Sequence, residues 1–217
     1  MEKLEFPERL FITGIGTDVG KSYATGWLAR EMRNMGLNVI TQKLIQTGNL
    51  DMSEDIEVHR KIMGIPLQPV DEAHVTAPII LSYPCSPDLA AKIDGVEVDF
   101  THADKATETL LKNYSNVLIE GAGGIFVPLK GEWLQIDYVK ERNLPVAIVV
   151  NGQLGSINHA LLTLESCRAA GVKVFAVIYN PHFDADKTIC EDTRQYLRNW
   201  LKNRFEGTAF IEMPKIL

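Results

Sequence analysis

The sequence predicts an α/β fold, a mostly parallel central sheet with helices on both faces. Short apolar runs rich in Val and Ile alternate with segments of helical period along nearly the whole chain. These runs are apolar at successive positions rather than at every other one, as in strands covered on both faces. The first run, Leu10-Phe11-Ile12, also leads directly into Gly14-Ile15-Gly16-Thr17-Asp18-Val19-Gly20-Lys21-Ser22 and then into a helical pattern. A glycine-rich turn between strand and helix belongs to sheets that bind ligands at the carboxyl ends of their strands.

The first strand is read over 10–13. The helix that starts near Lys21 puts Ala24, Trp27, Leu28 and Met32 on one face and stops at Gly36. A strand at 39–42 and a helix at 54–63 follow. The stretch 65–92 contains Pro66, Pro69, Pro78, Pro84 and Pro87. Prolines at that density forbid a long helix and predict a folded-back surface connection. Helices at 103–113, 136–142, 158–170 and 187–203 then alternate with strands at 117–120, 146–150 and 174–179, and a last strand lies at 209–212. No repeat, low-complexity tract or composition break divides the 217 residues, so residues 1–217 are read as one domain.

A net charge of −6 and the lack of a basic run argue against a nucleic-acid partner. No apolar stretch is long enough to cross a membrane, and Met1-Glu2-Lys3-Leu4-Glu5 lacks the apolar core of a signal peptide. Cys85, Cys167 and Cys190 are odd in number and widely spaced, and read as free thiols rather than a disulfide frame or zinc site. The chain reads as cytoplasmic.

The loop Gly14 to Ser22 carries the chemistry. Its N–H groups and the following helix N-terminus surround an anion, Lys21 reaches terminal phosphates, and the Ser22 hydroxyl is offered to Mg²⁺. Five residues separate Gly14 from Gly20 where the common phosphate loop has four. Lys43 follows the second strand and can direct an ammonium at the same phosphates, although a lysine there can equally be an exposed one. Asp55 is a candidate Mg²⁺ ligand beside phosphate or only a favourable charge in a first helical turn, and Glu54 could replace it. Glu120 ends an otherwise apolar strand and is a second metal-ligand candidate. It opens Gly121-Ala122-Gly123-Gly124, which suits close backbone approach to a ligand or a tight turn. Gly155-Ser156-Ile157-Asn158-His159 begins a helix whose free N–H groups could receive a carboxylate, or Ser156 is simply a cap. Asn180 could read a base edge or only end its strand. The five histidines, His59 among them, show no metal-ligand spacing and receive no role.

Taken in order, these segments resemble the dethiobiotin synthetase family. The resemblance is carried by Thr13 to Ser22, Lys43 with Thr47, Asp55, Glu120 to Gly124, Gly155 to His159 and Asn180, and it spans nearly the whole chain. The five-residue loop spacing is that family's. The fold so implied is a P-loop NTPase-like three-layer sandwich. The activity implied is ATP-dependent ring closure of 7,8-diaminononanoate with CO2, with Mg²⁺ as cofactor and ATP as co-substrate. Lys21, Lys43 and Thr17 are then catalytic. Thr47, Gly123, Gly155, Ser156 and Asn158 bind the diamine, and the last three belong to the neighbouring subunit of a homodimer. Asp18, Val19, Gly20, Lys21, Ser22 and Tyr23 bind nucleotide, with Asp55, Glu120, Gly121, Ala122, Gly123 and Asn180. Ser22, Asp55 and Glu120 hold the metal.

The chain departs from the family pattern in reading Lys43-Leu44 for Lys-Pro and Tyr83-Pro84-Cys85-Ser86-Pro87-Asp88 for E-P-x-S-P-H. Phe210 to Leu217 resembles the start of the family's base-binding region and then stops, which implies weaker base selection resting on Asn180. Partition-type ATPases, the nearest rivals, place a second lysine where Ile15 stands. Amide-forming relatives need a glutaminase domain for which there is no room. A regulator without chemistry leaves Lys43, Asp55 and Glu120 together unexplained.

Overall fold

The computed structural model describes residues 4–216. Met1 to Lys3, on which part of the leader reading rests, and Leu217, the last residue of the C-terminal motif, lie outside them. In chain order, β1 (Arg9–Gly14) enters the glycine-rich loop and α1 (Lys21–Asn34) leaves it. β2 (Val39–Lys43) and the short β3 (Gln46–Thr47) precede α2 (Glu54–Met63), whose first turn is capped by Ser53 Oγ accepting from Ile56 N. The proline-rich stretch supplies α3 (Pro69–Glu72), β4 (Ile80–Leu81) and α4 (Pro87–Asp94). α5 (Phe100–Leu111) leads to β5 (Asn116–Gly124), β6 (Pro128–Lys130), β7 (Trp133–Leu134) and α6 (Gln135–Glu141). β8 (Val146–Asn151), α7 (Ser156–Ala170), β9 (Val174–Asn180), α8 (Lys187–Arg204) and β10 (Ala209–Glu212) follow, with a 3-10 turn at Pro181–Phe183.

Six strands form one wholly parallel sheet in the order β10-β9-β8-β1-β5-β2. Its side chains divide by alternation into two cores. Leu10, Ile12, Leu118, Ala147 and Val149 face α1, while Phe11, Val117, Ile119, Val146 and Ile148 face α5, α6, α7 and α8. Burial on both faces is why these strands read as unbroken apolar runs. All the predicted strands are present, so the parallel α/β sandwich is the fold.

Two expectations are corrected. The stretch 65–92 is more than a surface connection. Its short helices begin at Pro69 and Pro87, first-turn positions at which the missing N–H costs nothing. β4 pairs in parallel with β3, and Asp71, Thr76, Ala77 and Leu81 are buried. The stretch also covers the open edge of β2, because Lys43 N donates to Thr76 O at 2.7 Å. Secondly, residues 121–124 do not turn at Glu120 but continue β5, with Gly124 beside Gly14. A side chain at Gly121 would stand 2.4 Å from Gln135 Oε1 and 2.6 Å from Phe11 Cζ, so the glycine answers to packing.

The proline-rich stretch is held by one buried ion pair. Arg60 donates to Asp71 through Nε at 2.8 Å and Nη2 at 2.7 Å, and Thr76 Oγ1 and Gln68 N complete the carboxylate's shell. Burial pushes the Asp71 carboxyl up, but these donors outweigh it and hold it below its ordinary 3.8. A depressed folded value contributes stability above the unfolded value of 3.8 that is lost as the pH falls through the folded one. Asp71→Ala, which strands a buried guanidinium, is expected to lower the unfolding free energy in urea by about 3–5 kcal/mol. Asp71→Asn is expected to flatten the acid limb of the stability–pH curve measured in the same way.

Candidate active site

At the carboxyl ends of β1, β2 and β5 lies a cavity of about 740 Å³. Its floor is the glycine-rich loop. Lys21, the first residue of α1, is buried and folds back to donate from Nζ to Gly16 O at 3.1 Å. Gly20, φ 85°, turns the chain into α1 in the left-handed region, and a Cβ there would stand 2.2 Å from Asn180 Nδ2. Asn180, at the end of β9, donates from Nδ2 to Val19 O at 3.0 Å and accepts His182 N on Oδ1 at 3.0 Å. It therefore clasps the loop while lining the cavity.

Four side chains from four elements meet above the loop. Ser22 Oγ of α1 is 2.6 Å from Asp55 Oδ1 of α2 and 2.9 Å from Glu120 Oε1 of β5. Lys43 Nζ of β2 donates to Glu120 Oε1 at 2.8 Å and to Gly121 O at 3.3 Å, and also pairs with Asp55 Oδ2. Lys43 is therefore buried and ion-paired, which decides against the exposed alternative. Glu54 is exposed, one step around the helix from Asp55, and does not line the cavity.

Burial would neutralise these groups one by one, and their mutual pairing prevents it. Burial pulls the Lys43 ammonium down, but Glu120 and Asp55 overcome it and leave it raised. Burial likewise pushes Glu120 up, and Lys43 and His59 together carry it far below the usual carboxylate range. Lys21 is lowered, by burial first and by the nearby Lys43, against the pull of Glu120, Asp55 and Asp18. Lys43 and Glu120 are thereby held in their charged forms, facing an anion-binding loop.

Thr17, Asp18, Tyr23, Thr47, Ala122 and Gly123 also line the cavity. Val19 turns its side chain into the core and contributes its carbonyl to Asn180. Gly121 contributes its carbonyl to Lys43. Gly155, Ser156 and Asn158 are not brought into the cavity of their own chain. Gly155 is the N-cap of α7, Ser156 is buried and donates to Asn151 O at 2.7 Å, and Asn158 is exposed.

Sequence reasoning gave no site role to His59 or Gln135. His59 is buried against Glu120, and its only local signal was the four-residue spacing from Asp55 on one face of α2. Gln135 braces the glycine strand, accepting Ala122 N at 2.9 Å and donating to Gly124 O at 3.1 Å. The cavity walls also include Pro84, Cys85, Ser86 and Pro87, together with His182, Phe183 and Met213. The thiols are indeed free, with Cys85 on this wall and Cys167 and Cys190 buried.

Ser22, Asp55 and Glu120 form an all-oxygen donor set suited to a hard divalent cation. Among the described residues no three His, Cys, Asp or Glu side chains come together as a cage. Two carboxylates and a hydroxyl beside a phosphate loop are nevertheless what Mg²⁺ takes when phosphates and waters complete its shell.

A family model described as an AAA domain matches residues 8–204. An ATP-dependent dethiobiotin synthetase of Pasteurella multocida is 44% identical over 206 residues, covering 95% of this chain and 97% of its own. Another, from Chlorobaculum tepidum, is 44% identical over 208 residues, covering 96% of this chain and 87% of its own. Among solved structures, the signal recognition particle receptor FtsY of Elizabethkingia anophelis in complex with GDP superposes with a TM-score of 0.53 at 16% identity. That match covers 95% of this chain and 57% of the receptor, and is a likeness of fold alone.

Gly20→Ala should force Asn180 off the loop and strain its turn into α1. Nucleotide affinity measured by calorimetry is expected to fall about tenfold or more, since a strained backbone position costs on the order of 1–3 kcal/mol.

Proposed function

The chain belongs to the family of ATP-dependent dethiobiotin synthetases, ligases that close a ring at the expense of ATP in biotin synthesis, and on that premise we propose how its residues divide the work. The substrates are 7,8-diaminononanoate, CO2 and ATP. One amine of the diamine takes up CO2 as a carbamate, and a carbamate oxygen attacks the γ-phosphate with loss of ADP. The second amine then attacks the carbonyl carbon of the mixed anhydride, closing the ureido ring and expelling phosphate.

The observation that carries this reading is the Lys43 ammonium held between Asp55 and Glu120 directly above the phosphate loop. Phosphoryl transfer asks mainly for positioning and for positive charge around the moving phosphoryl group. Lys21 and Lys43 supply that charge in a site where pairing keeps Lys43 protonated. Ser22, Asp55 and Glu120 would hold Mg²⁺, which when bound neutralises phosphate charge. Asp18, Val19, Gly20, Tyr23, Ala122 and Asn180 surround the nucleotide. Thr17 and Thr47 contact the carbamate or diamine, and the carbonyls of Gly121 and Gly123 orient the amines. Ile45, Pro84 and Val127 on the cavity wall suit the alkyl chain.

The substrate carboxylate lies at the far end of that chain. We assign it to the α7 N-terminus at Gly155, Ser156 and Asn158 of a second copy, in a homodimer. The exposed Leu154 just before that terminus and the exposed Leu162 further along α7 support the assignment. We also assign the enzyme to the cytoplasm, with no nucleic-acid partner. Among the described residues no helix is long and apolar enough to cross a membrane.

Phosphate release from MgATP is expected to need both the diamine and bicarbonate, with one ureido product formed per phosphate. Release indifferent to the diamine would instead indicate a switch ATPase. Lys43→Met is expected to lower kcat by about 10²–10³-fold, the usual effect of removing a charge-stabilising group, with little change in nucleotide affinity. Chelating the divalent cation should abolish turnover, and restoring Mg²⁺ should recover it.

A further inference from the structure

His59 is the sole buried histidine among the described residues, and nothing in the reaction as assigned above uses it. Its Nε2 lies 2.7 Å from Glu120 Oε2 and its Nδ1 3.0 Å from Thr41 Oγ1. Thr41 Oγ1 also accepts from Arg60 Nη1 at 2.7 Å. Arginine only donates, and among the described contacts His59 Nδ1 is the one acceptor within reach of the Thr41 hydroxyl proton, which therefore points at it. The ring proton then sits on Nε2, aimed at the carboxylate. Every donor and acceptor in this chain of contacts is satisfied by that single tautomer.

The two oxygens of Glu120 are thereby given different tasks. Oε1 takes Ser22 and Lys43, and Oε2 takes His59. We propose that His59 is a positioning residue for the metal site: by occupying Oε2 it holds Glu120 with Oε1 turned to Ser22 and Asp55. The inference rests on the reading of Ser22, Asp55 and Glu120 as a Mg²⁺ site. Thr41 sets the ring, and Arg60 with Asp71 sets Thr41, so the anchor runs from the proline-rich stretch to the metal carboxylate.

The test uses Mn²⁺ as the probe, with free Mn²⁺ read by electron paramagnetic resonance in the presence of a non-hydrolysable ATP analogue. Nucleotide affinity is measured separately in chelator. His59→Asn keeps a polar partner for Thr41 but is too short to reach Glu120, whereas His59→Gln retains an N–H donor at about the reach of Nε2. Loss of such an outer contact typically costs about 10- to 100-fold in metal affinity, and that is the loss expected for His59→Asn, with nucleotide affinity in chelator unchanged. His59→Gln should recover most of the Mn²⁺ affinity. Thr41→Val is an independent arm in which the ring remains but loses its setting partner, and a several-fold weaker Mn²⁺ affinity is expected. Wild-type Mn²⁺ affinity in a folded His59→Asn or Thr41→Val protein would overturn the proposal. So would a His59→Gln protein as weak as His59→Asn, because the N–H donor would then not matter. A wild-type protein that binds the nucleotide but no Mn²⁺ would instead remove the metal-site reading, and this inference with it.

Discussion

A carboxylate cut off from water stays ionised only when hydrogen-bond donors and opposite charge replace the solvent it has lost. Glu120 is such a group. It sits at the point where β5 emerges from the core, with no exposure, and draws its partners from α1, β2 and α2 through Ser22, Lys43 and His59. None of these elements can shift without stranding it. The registration of two helices and a neighbouring strand around the phosphate loop is therefore tied to one side chain, beyond what apolar packing alone would demand.

The same constraint explains why the open edge of β2 is elaborately covered. Lys43 lies at the end of the outermost strand, where a lysine would ordinarily reach solvent. The stretch 65–92 closes over it, bonded to its backbone through Thr76 and pinned by the Arg60–Asp71 pair. Within that stretch, Pro84 to Pro87 line the cavity. One stretch of chain thus serves as edge cover, anchor and cavity wall.

How much of this was legible in sequence follows from how local each signal is. The strands were legible because burial on both faces leaves a contiguous apolar run. The loop and α1 were legible because glycines, Lys21 and Ser22 are adjacent in the chain. Lys43 was ambiguous, since its burial depends on residues more than thirty positions away that read only as proline-rich. The extended course of 121–124 was hidden because glycines more often mark turns, and what keeps these straight is crowding by Gln135 and Phe11. His59 was passed over because its meaning lies in Glu120, 61 residues distant in sequence. The cluster at Gly155 to Asn158 was visible as a motif, and in its own chain it stands apart from the cavity.

The placement of the three thiols has a practical consequence. Cys167 and Cys190 are sealed in the interior, and burial pushes the Cys167 thiol up to about 12, so it offers almost no thiolate to a reagent. Cys85 alone stands on the wall of the cavity, between the two prolines that shape it. An alkylating dye would therefore label the native chain at one place without any engineered cysteine. The rate of that labelling becomes an optical gauge of how full the cavity is.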